Sequence, residues 1–345
     1  MGLFRLFRLT FYTFFLVALG IAYYVYIQAL AKPLENRQMQ LTIPKGVGVS
    51  WLSNHLEKNG VIDNKYIFRA YIWLNNRDLK IKAGEYTLVD VTDIPELVTK
   101  VDQGNVIQYA ITLIEGKTYA EYLAQLTSQK YLENELQGMS DAQIMRAMGA
   151  AGKHPEGQFA PQTYFYEKGD SDLDVLKQAY RRQVEITDYA WENRAEDVEV
   201  KTAYELLILA SIIEKETGAA HERPEISGVF NNRLRIGMKL QTDPTVIYGM
   251  GDKYKGNIRK KDLTTDTAYN TYTRYGLPPS PIAMPGEASI QAAANPQKTK
   301  ALYFVGKGDG THQFSTNLKD HNNAVIKYQL GGKRKAFSSY KPESS

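Results

Sequence analysis

The chain of 345 residues contains no cysteine. That excludes disulfides, thiolate catalysis and every Cys-based metal site, and it suits an exported protein that avoids stray oxidation. An excess of either charge is missing too: 42 Lys and Arg stand against 38 Asp and Glu, and no run concentrates the cations. A phosphate-binding surface needs a concentrated basic face, so nucleic acid is not expected as a partner. Histidine is scarce, with five in all. His312 and His321 stand nine apart with no third ligand nearby. That is too sparse for a zinc site, so no metal and no cofactor are expected. GKGDGT, residues 306–311, lacks the spacing of a phosphate-cradling loop and lies between two strand-like segments, so it reads as a hairpin turn. No Ser-centred elbow occurs.

Charge is also absent between Arg8 and Lys32. The middle of that stretch, FFLVALGIAYYVYI, is apolar and long enough to cross a bilayer of about 30 Å. It predicts a transmembrane anchor over 9–31 behind a short cytoplasmic tail, 1–8. A cleaved signal peptide is the competing reading, because Ala29-Leu30-Ala31 has the form of a cleavage site. The apolar run, however, exceeds the usual signal core of roughly 7 to 15 residues. Arg5 and Arg8 precede the span and Lys32 and Arg37 follow it, so counting basic residues assigns no orientation. Eight residues leave no room for a domain on the near side, so a cytoplasmic N-terminus puts the remaining chain outside.

With 43% hydrophobic and 11% aromatic residues, that remainder can bury the cores of two or three domains. The 24 Tyr suit the faces of sugars, although ordinary cores use them as well. From Leu41 the pattern is that of a small α+β module, 41–110: a strand at LTIPKG, helices through VSWLSNHLEKNG and YIFRAYIWLN, a strand at AGEYTLV, a helix through DIPELVTKVDQG and a strand in VIQYAITLIEG. It carries no catalytic carboxylate pair, so it is either a binding module or a spacer. Helical patterns follow at TYAEYLAQL, at DAQIMRAMG and beyond Asp172. Between them HPEGQFAPQTYFYEKGDS, with Phe159, Tyr164, Phe165 and Tyr166, reads as a long loop able to wall a groove.

Thr202-Ala-Tyr-Glu205 has the form of a capping box and Gly218 that of a stop, predicting a helix over 203–217. At about 100° per residue, Glu216 shares its face with Leu209, Ile212 and Ile213, whereas Glu214 points towards Leu207, Ala210 and Ser211. A carboxyl group on so apolar a face loses the hydration that favours its charged form. Its pKa should rise, leaving a proton for a general acid to donate near neutral pH. The bland alternative is a structural salt bridge to a nearby Arg or Lys.

ASIIEKETG, VFNNRLRIGMKLQTDPTVIYGMG, TAYNTYTRYGLPPSPIAMPGEASIQAAANP and LYFVGKGDGTHQFSTNLKDHN closely resemble the MltG (YceG-like) family of endolytic murein transglycosylases. The resemblance covers nearly the whole chain and implies an α+β fold. Its parts are a transmembrane helix, a LysM-like glycan-binding module, a mixed α/β catalytic domain at 111–335 with the catalytic Glu on a buried helix, and a tail at 336–345. It also implies that Glu216, the helical Glu followed by Thr, is the catalytic residue. Such enzymes cut the MurNAc-GlcNAc bond within nascent peptidoglycan strands without water, leave 1,6-anhydro-MurNAc ends and limit strand elongation. A lone acid suffices there, because the sugar's C6 hydroxyl is the nucleophile, whereas a hydrolase needs two carboxylates. A water-using muramidase would recruit Asp243 or Glu214; the other alternative is a non-catalytic glycan-binding assembly factor.

By the same resemblance Gln241, Thr242 and Asp243 in LQTDPT, and Tyr269, Asn270 and Tyr272 in AYNTY, line the substrate groove. A plain turn at Asp243 is an equal reading of the first three. Rings and an amide make the second a sugar-binding set, with Asn270 foremost. LPPSPI, residues 277–282, reads as structural. In FAPQTYFY, Gln162 stands where the family usually has an acidic residue. The implied partners are peptidoglycan glycan strands and peptidoglycan synthases. The implied location is the inner (cytoplasmic) membrane, single-pass, with a periplasmic catalytic domain.

Overall fold

The computed structural model describes residues 2–75 and 78–333, so the expected tail at 336–345 lies outside the described residues. The fold is α+β. Two compact units divide the described chain, one formed by residues up to Tyr109 with Phe165–Asp170, the other by Ala110–Tyr164 with the chain from Ser171 onward.

The first unit begins with α1 (Gly2–Leu30). Within it Phe7–Leu30 is long and apolar enough to cross a membrane, and Phe14 and Tyr23 are 74% and 67% exposed. There follow β1 (Gln40–Ile43), α2 (Val49–Lys58), α3 (Lys65–Asn75), β2 (Gly84–Thr87) and α4 (Ile94–Asp102). β1 and β2 pair antiparallel with Leu41 opposite Tyr86. The alternation of β1 puts Leu41 and Ile43 inward. There they meet Leu52 and Leu56 of α2, Phe68 and Ile72 of α3, and Leu97, Val98 and Val101 of α4. α4 starts where Asp93 accepts the Glu96 amide at 3.0 Å, a side-chain cap that fixes the start of the helix.

β3 (Gln108–Thr112) pairs with β4 (Thr163–Glu167), and in both strands the chain passes between the units. The sequence predicted a loop where β4 lies. Of the four rings expected to wall a groove, Phe159, Tyr164 and Tyr166 are core residues and only Phe165 is exposed. Alternate side chains of a strand face inward, which the Gly and Pro around it concealed.

The second unit contains α5 (Tyr119–Thr127), α6 (Asp141–Ala147), α7 (Asp172–Glu192), α8 (Ala203–Glu216), α9 (Arg223–Arg235), α10 (Asp243–Met250), α11 (Lys260–Thr264), α12 (Glu287–Ala294), the antiparallel hairpin β5 (Tyr303–Gly306) and β6 (His312–Ser315), and α13 (Leu318–Tyr328). α8 is its axis, in contact with α7, α9, α10 and α12. Every residue from Leu206 to Ile213 is buried, as befits a helix apolar all round. Even Ser211 is used: its hydroxyl donates to the Ile208 carbonyl at 2.7 Å and accepts the Ile282 amide at 3.0 Å, pinning the LPPSPI segment to the helix.

Candidate active site

The site is built at the end of α8. Thr202 caps the start by accepting the Glu205 amide at 3.1 Å, but Glu205 returns its bond to Lys201 and not to Thr202. The helix closes one residue earlier than the sequence predicted. Glu216 is its last residue, and Thr217 leaves in an extended conformation, φ −143° and ψ 136°. No left-handed Gly218 is involved in the stop. The turn is held instead by the Thr217 hydroxyl, which accepts the Ala219 amide at 2.9 Å.

The two glutamates separate as the helical wheel predicted. Glu214, 5% exposed, pairs with Arg223 at 3.3 Å and accepts the Gly286 amide at 3.0 Å and the Ser289 hydroxyl at 2.7 Å at the start of α12. It is the structural salt bridge. Glu216 has no ion pair among the described residues and is partly exposed. Burial pushes its carboxyl group up to about 7; the Thr242 hydroxyl, donating to its Oε1, pulls the other way, and Asp243 adds to the rise. His312 and Arg233 are close enough to favour the charged form. Arg233 is nonetheless committed elsewhere, to the carbonyls of Leu302 at 2.7 Å and Leu240 at 2.6 Å.

Thr242 is buried at the N-cap position of α10, where its side chain makes no cap bond, and its amide donates to the Thr271 hydroxyl at 3.0 Å. Gln241 before it is exposed and takes φ +50°, a strained setting for a non-glycine residue. Asp243 is exposed and accepts the Tyr272 hydroxyl at 2.6 Å. Burial and the Asp243 bond raise the pKa of Tyr272, so this phenol stays protonated. Thr242, Asp243 and Tyr272 thus gather around Glu216, and Gln241 directly precedes Thr242 in the chain.

Two further expected groove residues, Asn270 and Tyr269, are held by contacts other than Glu216. Asn270 is 1% exposed, and its amide nitrogen donates to the carbonyls of Asp262, Leu263 and Thr265 at 3.1, 3.2 and 2.7 Å, while its oxygen accepts the Tyr272 amide at 2.9 Å. It shapes the loop that carries Tyr272. Tyr269 is half-buried, with its hydroxyl 2.7 Å from Ser280 Oγ and its ring edge-on to Tyr248 at 4.9 Å.

Sequence reasoning missed two groups. His312 was weighed as a metal ligand, yet Glu222 binds both its amide at 2.9 Å and its Nδ1 at 2.7 Å, fixing the ring beside Glu216. No local pattern joins positions 90 residues apart. Glu156 is a second buried carboxyl group, pushed up to about 7 by desolvation and held by the Tyr119 amide at 2.9 Å and the Tyr248 hydroxyl at 3.0 Å. Its only sequence signal is an acid inside an otherwise aromatic segment.

Removing the Thr242 hydroxyl has a signed consequence. Thr242→Val withdraws a bond that favours the ionised carboxylate, so the pH above which Glu216 loses its proton should move upward from about 7, by on the order of half a unit or more. A pH–rate profile of glycan cleavage measures it, and an unmoved alkaline limb would disprove this role for Thr242.

A partly buried carboxyl group that keeps its proton near neutrality, beside a shelf of polar side chains, is the equipment of an enzyme that works by proton donation. The chain belongs to the YceG-like family, whose model matches residues 41–327. It is 32% identical, over 88% of its length and 89% of the relative's, to a Bacillus subtilis protein named endolytic murein transglycosylase. A Streptococcus pneumoniae protein of the same name is 26% identical over 88% of this chain, which spans 61% of that longer relative. Among solved structures, the crystal structure of a yceG-like protein from Listeria monocytogenes matches 83% of this chain and 98% of its own, with a TM-score of 0.50 and 30% identity.

Proposed function

We propose that the protein is an endolytic murein transglycosylase that cuts the MurNAc-GlcNAc bond inside peptidoglycan strands and leaves 1,6-anhydro-MurNAc ends. The observation that carries this reading is the carboxyl group of Glu216, which burial pushes up to about 7 and which accepts the Thr242 hydroxyl, while Glu214, the other acid at this end of α8, is held in an ion pair with Arg223. Glu216 gives its proton to the departing glycosidic oxygen as the C1–O bond breaks. The C6 hydroxyl of the same sugar then attacks C1, and its proton passes to the Glu216 carboxylate. The enzyme is restored without water. An intramolecular nucleophile brings a high effective concentration that a bound water lacks.

The surroundings favour this over a muramidase. Glu214 is occupied by Arg223 and α12, and Asp243 is tied to Tyr272. Asp243, Gln241 and Tyr272 are the groups we assign to substrate hydroxyl and acetamido contacts, with Asn270 and Tyr269 supporting them from behind. The relatives' names support the substrate class. In the first unit an open cleft of about 710 Å³, lined by Lys82, Thr99, Gln103, Asn105, Gln108 and Glu167, suits the LysM-like reading, in which the module takes N-acetylglucosamine-containing strands. α1 is the single-pass anchor, with both units on the periplasmic face, where synthases that make the strand would be partners.

Un-crosslinked glycan strands digested with the full chain should shorten at pH 6 and progressively less above pH 7, as Glu216 loses its proton. Strands that bind but keep their length at every pH would favour a glycan-binding assembly factor.

A further inference from the structure

α3 carries an apolar face that the core of the first unit does not use. Phe68 and Ile72 point inward and are buried. At about 100° per residue, Tyr66, Ala70, Trp73 and Leu74 gather on a different side, where Tyr66, Trp73 and Leu74 are 66%, 61% and 57% exposed. Among the described residues of α3, no charge falls within that arc. Of the cations of α3, Arg69 borders the arc and donates to Ser53 Oγ at 2.7 Å, and Lys65 lies farther round, paired with Glu57 at 3.1 Å.

The second observation is the place of α3. It packs against α1, and Tyr26 of α1 lies beside Tyr71 and Asn75 of α3. Tyr26 and Tyr71 pack on the same core cluster that buries Leu30 and Leu34, so the end of α1 is part of that core. The apolar stretch Phe7–Leu30 has 24 residues. At 1.5 Å per residue that is about 36 Å, some 6 Å more than the hydrocarbon of a bilayer. Tyr26, four residues before Leu30 and about 6 Å below it, therefore falls where hydrocarbon meets headgroups. Tyr and Trp favour that boundary, having an apolar body and a polar tip.

We propose that α3 is a membrane-contact helix, whose Tyr66, Trp73 and Leu74 enter the interfacial layer of the phospholipid bilayer beside α1 and fix the first unit's orientation on the membrane. The inference rests on the reading of α1 as a span, and it adds that the adjacent unit lies down on the surface and does not swing on a tether.

The test places the full chain in phospholipid nanodiscs, where co-elution with the discs reports the anchor separately. Trp73 is one of three Trp, so its fluorescence is taken as the difference between wild type and Trp73→Phe, an exposed and structurally mild change. Lipids bearing a nitroxide near the headgroup should quench that difference signal at least twofold, and iodide in the water should quench it little. Quenching by iodide alone would place the face in water; quenching by neither would place it against a second copy or another protein. Either result, in chains that have entered the discs, overturns the proposal while leaving the anchor intact. Chains that never enter the discs would refute the span and this inference together.

Discussion

Glu216→Gln is expected to lower the rate of glycan cleavage by about 10² to 10⁴-fold, the usual worth of a positioned acid–base group. The amide keeps the shape and can still accept the Thr242 hydroxyl, but it has no proton to give. Folding should not suffer. A carboxyl group raised from about 4.5 to about 7 by burial opposes folding increasingly as pH climbs between those values, because the folded state holds the charge less well than the unfolded chain. Gln lacks that penalty, so at pH 8 the variant should unfold at the same urea concentration as wild type or a higher one. Many catalytic groups carry this mark of activity held at the expense of stability. Activity within a few fold of wild type would remove Glu216 from the mechanism, and a collapse in stability would make it a structural residue.

The second large effect concerns the neighbouring glutamate and stability alone. Arg223→Met leaves the Glu214 carboxylate, 5% exposed, without its cation, and breaking a buried pair from one side costs about 3–5 kcal/mol. The carboxylate would keep its bonds to Gly286 and Ser289, so α12 should stay docked while global stability falls. Replacing both partners, as Arg223→Met with Glu214→Gln, should recover much of the loss, since the only carboxylate then left without its cation is Glu115, 3.6 Å from Arg223 and 52% exposed. Urea unfolding of wild type, Arg223→Met, Glu214→Gln and the double variant measures the coupling; a cost of Arg223→Met below about 1 kcal/mol would mean the pair is solvated and contributes little. The contrast between two glutamates on one helix is the point: one is a buried anchor with every oxygen occupied, the other is left able to exchange its proton.

The opposite directions of the two side chains were legible in the sequence because they depend on local periodicity; which of the two is ion-paired was not. A run from Leu206 to Ile213 with a Thr202 cap can only be a buried helix, and the angle between positions 214 and 216 follows from 3.6 residues per turn. Thr242 and Asp243 were legible as short polar groups before a proline, and they do gather near Glu216. Asn270 misled for a physical reason: an amide suits a sugar hydroxyl and a set of backbone carbonyls equally, and only burial tells the two apart. The strand β4 was hidden by its Gly and Pro neighbours. The Glu222–His312 pair was out of reach, because the hairpin β5–β6 returns from far along the chain to meet the turn after α8, and such long-range contacts leave no spacing to read.

The central chemical step is attack by the substrate's own hydroxyl, and not by water, to close the reaction. Un-crosslinked glycan strands digested in ¹⁸O-enriched water, with the products weighed by mass spectrometry, test it directly. The expected fragments end in 1,6-anhydro-MurNAc, lighter by one water than a hydrolysed end and free of ¹⁸O. Reducing MurNAc ends carrying ¹⁸O would contradict it and would call for a second carboxylate beside Glu216.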